Sequence, residues 1–310
     1  MKILIVGLGS IAKKHIAAIR KIDSDAEIVA LRSGKNAPEM EGVRNIYSLE
    51  GLDETFDFAI ISNPTSYHAE TVERLLPLKI PLFIEKPVFE STDYSELIQK
   101  TIESGVQTYV GCNLRFMDSL VMLHDYIRSH PEKIINEVNV YCGSYLPEWR
   151  PGTDFRKCYS SIPELGGGVN IDLIHDIDYT VWIFGNPVAS RGLCRNVSSL
   201  GIRAFDYANY TLVYPRFTAS IILNYYRRDY RRRIEVVFDD DTWTVDLKAN
   251  EITDMNGETV YKGSVGAAQT YEAQMRYFIN AVKRGERMEN DVVHANEVLK
   301  ICLNYERFEG

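Results

Sequence analysis

A short apolar run, a glycine turn and an amphipathic helix open this chain, and that order restricts its fold more than any other stretch. Lys2-Ile3-Leu4-Ile5-Val6 is short, continuous and β-branched, the pattern of a strand buried on both faces of a parallel sheet. Gly7-Leu8-Gly9-Ser10-Ile11-Ala12 fits G-x-G-x-x-A, and Ile11, Ala12, His15, Ile16, Ala18 and Ile19 recur at helical spacing. In such a unit the first glycine permits the tight turn, and the second lets a pyrophosphate approach the backbone. The small Ala12 lets helix and strand pack closely. The N–H groups of the first helical turn, at Ser10, Ile11 and Ala12, face the phosphates. The motif alone often marks only a tight turn. Its place after a strand and before a helix points to a dinucleotide site.

At 310 residues the chain exceeds what one core usually serves, so two domains are expected. With 45% hydrophobic and 25% charged residues it reads as an ordinary globular protein. Forty-three acidic against 35 basic residues leave a net charge of -8, which argues against a general nucleic-acid binder. Cys112, Cys142, Cys158, Cys194 and Cys302 are scattered and never in C-x-x-C spacing. They read as reduced, small apolar fillers, with neither a disulfide frame nor a metal site expected. No run reaches the roughly eighteen apolar residues of a membrane span. The opening apolar run stops at Gly7, too soon for a secretory signal, so a cytoplasmic protein is expected.

Strand and helix signals alternate up to about residue 115. Glu27–Leu31, 56–62, 81–85 and 107–111 read as strands. One helix starts with Thr65 or Ser66 as its cap and runs to Pro77, and another covers 94–104 and ends at Gly105. The alternation predicts an α/β domain over residues 1–117, a doubly wound parallel sheet. A helix over 117–129 and a long strand over 134–145 follow. Strands at 207–214, 217–226, 232–238 and 243–247 then predict an α+β domain over 118–310 with a mostly antiparallel open sheet. Helices at 269–284 and 294–308 close the chain, the last free to pack back on the first domain.

Open parallel sheets bind ligands beyond the carboxyl ends of their strands, and three further motifs fall there. Leu31-Arg32-Ser33-Gly34-Lys35 carries no acidic residue to hold a ribose diol. Arg32, Ser33 and Lys35 suit a 2′-phosphate instead, which favours NADP with NAD as the alternative; a solvated basic loop is the other reading. Asn63-Pro64-Thr65-Ser66-Tyr67-His68 opens a helix, where His68 either touches the cofactor or lies on a surface helix. Glu85-Lys86-Pro87 follows a strand directly, so an ammonium there can polarise an alcohol or carbonyl oxygen. In the second half, Gly166-Gly167-Gly168 precedes a helix expected over 169–184. The triplet implies backbone passing close to something, a substrate or the facing domain. Asp172 and His175, three apart, share a helix face, so a carboxylate can orient an imidazole.

The combination of G-x-G-x-x-A at Gly7, P-T-x-x-H at Pro64, E-K-P at Glu85 and G-G-G-x-x-x-D-x-x-H at Gly166 resembles the Gfo/Idh/MocA oxidoreductases, the relatives of glucose–fructose oxidoreductase and inositol dehydrogenase. The likeness holds in order and spacing from residue 1 to about 250. Asn113-Leu114-Arg115-Phe116 and the Tyr159-Ser160 to Gly168 stretch are most like members from surface-polysaccharide and unusual-sugar pathways. The resemblance implies a Rossmann domain, a second domain whose sheet joins subunits of a homo-dimer or tetramer, and hydride transfer between NAD(P) and a sugar, nucleotide-sugar or cyclitol hydroxyl. Carried over, Lys86 stabilises the alkoxide, His175 is the general acid or base, and Asp172 orients it. Many members space the Asp/His pair four apart and this chain spaces it three, which leaves open whether Asp172 or Asp176 partners His175.

Cofactor contacts are expected from Gly7, Gly9, Ser10, Ile11, Ala12, Arg32, Ser33, Asn63, Thr65, His68, Glu85, Lys86 and Asn113. Substrate contacts are expected from Arg115, Trp149, Arg150, Arg156 and Tyr159, a mix suited to a sugar bearing a carboxylate or phosphate. The run from Tyr225 to Arg233 mixes tyrosine and arginine as single-strand binders do, yet in an acidic chain it reads as a solvated hairpin or subunit contact. A non-catalytic NAD(P)- or sugar-sensing regulator and an NAD-dependent glycosidase are the rival readings.

Overall fold

Runs such as Phe58-Ala59-Ile60-Ile61 offer water no polar face, so they persist only where both sides of a sheet are covered. In a computed structural model, which describes residues 1–34, 38–51 and 53–307, they build a six-stranded sheet. Its strands are β1 (Lys2–Val6), β2 (Glu27–Leu31), β3 (Val43–Ile46), β4 (Phe58–Ile61), β5 (Leu82–Glu85) and β6 (Thr108–Gly111). They stand in the order β3-β2-β1-β4-β5-β6 with every pairing parallel. The order in which strands are added reverses between β1 and β4, the switch point at which such sheets hold ligands. Val6 lies opposite Leu31 and Ile61, and Ile61 opposite Ile84, so Gly7, Arg32, Ser62 and Glu85 emerge on one rim. The connecting helices are α1 (Ser10–Ile22), α2 (His68–Leu75) and α3 (Ser95–Ser104). Gly105 stops α3 in a left-handed conformation. The expected cap of α2 is not made: a 3₁₀ turn, Thr65–Tyr67, precedes it under Pro64, with no side-chain cap.

Alternation takes over in the second sheet. Val138, Val140 and Cys142 are buried while Asn139 and Tyr141 between them are partly exposed, as a one-sided sheet requires. Its elements are α4 (Asp118–Ser129), β7 (Ile135–Tyr145), α5 (Val169–Asp172), α6 (His175–Phe184), β8 (Ala189–Arg195), β9 (Tyr207–Val213), β10 (Thr218–Asn224), β11 (Tyr226–Phe238), β12 (Thr242–Asp246), β13 (Glu251–Thr253) and β14 (Thr259–Lys262). After α7 (Thr270–Arg284) and α8 (Val292–Leu303), β15 (Tyr305–Arg307) completes the order β14-β13-β12-β11-β7-β10-β9-β8-β15. Only β7–β10 and β8–β15 are parallel among these pairs. By packing, Met1–Cys112 and Tyr271–Leu299 form one unit, in which Phe278 of α7 meets Phe58 and Phe83 edge-on at 5.1 and 5.3 Å. Asn113–Thr270 and the segment beginning at Lys300 form the other.

Three expectations fail here for physical reasons. The 225–233 run is not a hairpin. β10 flanks β7 on one side and β11 on the other, so the chain crosses over after Asn224, and the ladder slips between Tyr226 and Arg231. Its charge is matched locally: Arg227 and Arg231 meet Asp229, Arg232 meets Asp176 and Arg233 meets Asp246. The 169–184 helix breaks in two where the ladder tightens, Ile174 N–H donating to the Ile171 carbonyl and Asp176 N–H to that of Leu173. The final helix stops at Leu303, because Tyr305–Arg307 pairs as a strand with β8. Among the described residues no helix is long and apolar enough to cross a membrane.

Candidate active site

The glycine turn is shaped by contact on one side and space on the other. Gly7 has φ +84°, and a Cβ there would sit 2.7 Å from the Asn63 Cα, so the loop after β1 touches the loop after β4. Gly9 precedes α1 with no side-chain cap, and a Cβ on it would meet nothing within 4 Å. The N–H groups of Ser10, Ile11 and Ala12 lack intrahelical acceptors and look out past Gly9, while the Ala12 side chain is buried. Open room before a bare helix N-terminus is what a pyrophosphate needs, so these residues fit the dinucleotide.

Arg32 at the β2 tip donates from Nη1 to Asn45 Oδ1 at 3.1 Å and to the Pro38 carbonyl at 3.2 Å, with Ser33 exposed beside it. Lys35 lies outside the described residues. Asn63 Nδ2 donates to Thr71 Oγ1 at 2.8 Å, and Asn63 Oδ1 is buried with no hydrogen-bond partner among the described residues. Thr65 opens the 3₁₀ turn that follows.

His68 fits neither of its sequence readings. It is 1% exposed, with Nε2 3.0 Å from the Asn63 carbonyl and Nδ1 3.1 and 3.2 Å from those of Pro87 and Val88. Burial pushes its pKa down, against the carbonyls that favour its protonated form. A signal for this was present: His68, Val72 and Leu75 share one apolar stripe, so a histidine at 68 points inward. Glu85 is likewise engaged within the protein. Its carboxylate pairs with the buried His15 of α1 and accepts the Lys86 backbone N–H at 3.2 Å. Lys86 stands in the turn after β5, half-buried, followed by a cis bond to Pro87.

In the second unit the three aspartates separate. Asp172 accepts the Tyr225 hydroxyl at 2.6 Å, and Tyr159 also hydrogen-bonds to it. Burial, then the Asp172 charge, push both phenols well above their ordinary pKa. Asp176 is committed to Arg232 and Tyr179, so both candidate partners for His175 carry other hydrogen bonds. Asp178 holds Arg115 in a two-pronged pair, Nε to Oδ2 at 2.8 Å and Nη2 to Oδ1 at 2.6 Å. That departs from the expected substrate contact: Arg115 is 5% exposed and braces its 3₁₀ turn against α6. Asn113 in the same turn donates to Thr270 Oγ1 at 2.7 Å. His175 opens α6, half-buried.

Three of the expected substrate residues gather about Asp172. Trp149 donates to Ser144 Oγ at 3.1 Å and meets Tyr225 edge-on at 5.3 Å, while the Arg150 guanidinium lies over the Tyr159 ring at 5.0 Å. Arg156 lies over Phe155 instead. Tyr225, hidden in the basic run, is the member sequence reasoning missed. The glycine triplet also finds its neighbour: a Cβ on Gly167 would lie 2.1 Å from the Tyr159 carbonyl oxygen. What passes close to Gly167 is the turn at 159–162 of the same unit.

Comparison with known proteins agrees with this fold. A family model described as an oxidoreductase family with an NAD-binding Rossmann fold matches residues 1–112. Inositol 2-dehydrogenase of Rhizobium meliloti (strain 1021) is 26% identical over 195 residues, 60% of this chain and 56% of that protein, so the chain spans just over half of that relative's length. Levoglucosan dehydrogenase in complex with NADH superposes with a TM-score of 0.84 at 14% identity, covering 97% of this chain and 95% of that one. UDP-N-acetylglucosamine 3-dehydrogenase of Acidithiobacillus ferrooxidans gives 0.78 at 20% identity, with 98% and 96% covered. The glycine turn and the strand order agree with the match of the first 112 residues to the Gfo/Idh/MocA oxidoreductase family, with its NAD-binding Rossmann fold.

Proposed function

We propose that the protein is an NAD(P)-dependent dehydrogenase or reductase acting on a hydroxyl or carbonyl of a sugar, nucleotide sugar or cyclitol. The observation that carries the reading is Lys86, which follows Glu85 on the same sheet rim as the Gly7 turn. The bound nicotinamide supplies a hydride acceptor or donor. The amides of Ser10, Ile11 and Ala12 would hold its pyrophosphate, with Asn63 and Thr65 on the neighbouring loop. Lys86 would stabilise negative charge on the substrate oxygen as its proton leaves, and His175 would take that proton in oxidation or return it in reduction. Asp172, with Tyr159 and Tyr225 on its oxygens, would lend a fixed negative charge beside Trp149 and Arg150, which would receive the sugar.

The relatives named above include an inositol and a nucleotide-sugar dehydrogenase, which supports this substrate class. We further read the β2 tip, with Arg32 and no carboxylate, as favouring NADP, although levoglucosan dehydrogenase is described with NADH. Arg32→Ala should then weaken NADP about tenfold or more and leave NAD nearly unchanged. Equal affinity for both cofactors in the unaltered protein would reject the preference. The open face of the second sheet is read as the surface that joins subunits of a homo-oligomer.

A screen of sugars, cyclitols and nucleotide sugars, followed by nicotinamide absorbance, tests the function. Steady turnover of added cofactor is expected. Ligand binding without turnover would favour a sensing role, and hydrolysis without net cofactor change would favour a glycosidase.

A further inference from the structure

We propose that His15 and His68 are positioning residues that clamp the Lys86 turn from two sides and tie it to the loops that hold the dinucleotide. The inference rests on the reading of Lys86 as the ammonium that serves the reacting oxygen.

Each flank of Lys86 is fixed by an imidazole from a different helix. On one flank His15 of α1 pairs with Glu85, whose second oxygen accepts the Lys86 N–H. On the other, His68 of α2 reaches the carbonyls of Pro87 and Val88. The same helices begin at the cofactor loops. Gly9 precedes α1, and the Nε2 side of His68 lies against the carbonyl of Asn63, the residue packed on Gly7. Ammonium and phosphate cradle therefore share one hydrogen-bonded frame.

Packing alone does not account for histidine at either position. His15 lies among Ala12, Ile16 and Ile19, and His68 among Ala69, Val72 and Leu75, all buried stripes an aliphatic side chain would fill. An aliphatic residue would leave the buried Glu85 carboxylate, or the carbonyls about His68, without a ring N–H donor, and a buried group left unpaired is costly. His15 Nδ1 is buried with no partner among the described residues, which assigns the ring proton to Nε2, donating to Glu85. Phe83 and Tyr271 enclose the ring at 4.8 and 6.0 Å. A reacting group displaced by about 1 Å can lose about 10²-fold in rate, so a turn held this way bears on kcat.

The test combines kinetics on the substrate found by screening with a measurement that needs none. In the full-length protein, His15→Leu and His68→Leu should each lower kcat about 10- to 100-fold while cofactor Kd changes less than about threefold. His15→Gln, whose amide can still donate to Glu85, should recover most of the loss. In a Lys86→Ala background the Leu substitutions should cost no more than about a further twofold, because they act through Lys86. Fully additive losses would overturn the proposal. If Lys86→Ala leaves kcat intact, the functional reading has failed instead. Separately, brief acetic anhydride labelling read by mass spectrometry should modify Lys86 at least about threefold faster in each Leu variant, with other lysines unchanged. Unchanged Lys86 labelling in both overturns the proposal. Should a Leu variant not fold, the Gln variants carry the labelling test: His68→Gln, which serves one side of the clamp only, should show an intermediate rise, and no rise counts against the clamp.

Discussion

The two units fix polar side chains in different ways. In the first, the rim is made by backbone: a glycine with positive φ, a helix with open space before it, and imidazole rings set against carbonyls and one carboxylate. In the second, buried ion pairs organise the helix that bears His175. Asp176 is held by Arg232 and Asp178 by Arg115, while Asp172 takes two phenols. Backbone turns leave room for a ligand, whereas paired charges fix a helix and leave little to spare. The comparison separates residues that can meet a ligand from those that only resemble them in sequence, Arg115 being the clearest case.

Four experiments press on this contrast. The largest effect is expected from Lys86→Ala and His175→Ala, one in each unit, which should each lower kcat about 10²–10⁴-fold with cofactor affinity nearly intact. Steady-state kinetics with calorimetric cofactor titration decides it. A loss in only one variant would assign the chemistry to a single unit. Next, Asp176→Asn leaves the buried Arg232 guanidinium without its charge partner and should cost about 3–5 kcal/mol in urea unfolding. A cost below about 1 kcal/mol would remove the claim that charge pairs organise α6.

The third experiment sets glycine against glycine. Gly167→Ala drives a methyl into the Tyr159 carbonyl and should cost about 1–3 kcal/mol, whereas Gly9→Ala points into open space and should change stability by less than about 0.5 kcal/mol. Gly9→Ala should instead weaken dinucleotide binding, so equal stability losses would erase the distinction. The smallest effect is a pH slope. His68 titrates below its ordinary 6.5 in the folded state, so the unfolded chain binds more protons in the interval between. Its contribution to stability is therefore complete above that value and declines as pH falls through 6.5 towards the folded pKa. Urea midpoints from about pH 7.5 to about pH 5 should fall less steeply in His68→Gln than in the unaltered protein. Parallel slopes would show that His68 does not titrate in this way.

Much of the first unit was legible because its signals are local. Apolar runs, glycine stops and the 3.6-residue period of α1 all lie within a dozen residues. β3 escaped because Val43-Arg44-Asn45-Ile46 is an edge strand with two apolar residues, and β8 because Ala189-Ser190-Arg191-Gly192 shows almost none. In the site, the glycine turn and the E-K-P turn could be read directly. The fate of the aspartates could not, since Asp176 and Arg232 meet only through a sheet order in which β11 lies beside β7. The burial of His68 could be read from the apolar stripe it shares with Val72 and Leu75, a signal that neither reading of its motif used.

The placement of β7 also bears on how the chain assembles. The strand ends at Tyr145, yet its two neighbours, β10 and β11, begin at Thr218 and Tyr226. At roughly 5–20 residues per second of synthesis, the central strand of the larger sheet waits seconds with both edges bare. Strands with free edges are templates for wrong partners, so the time before Thr218 emerges is when this protein is most exposed to aggregation. Slowing or truncating translation just upstream of β10 should bring out that hazard, while an arrest after β11 should not.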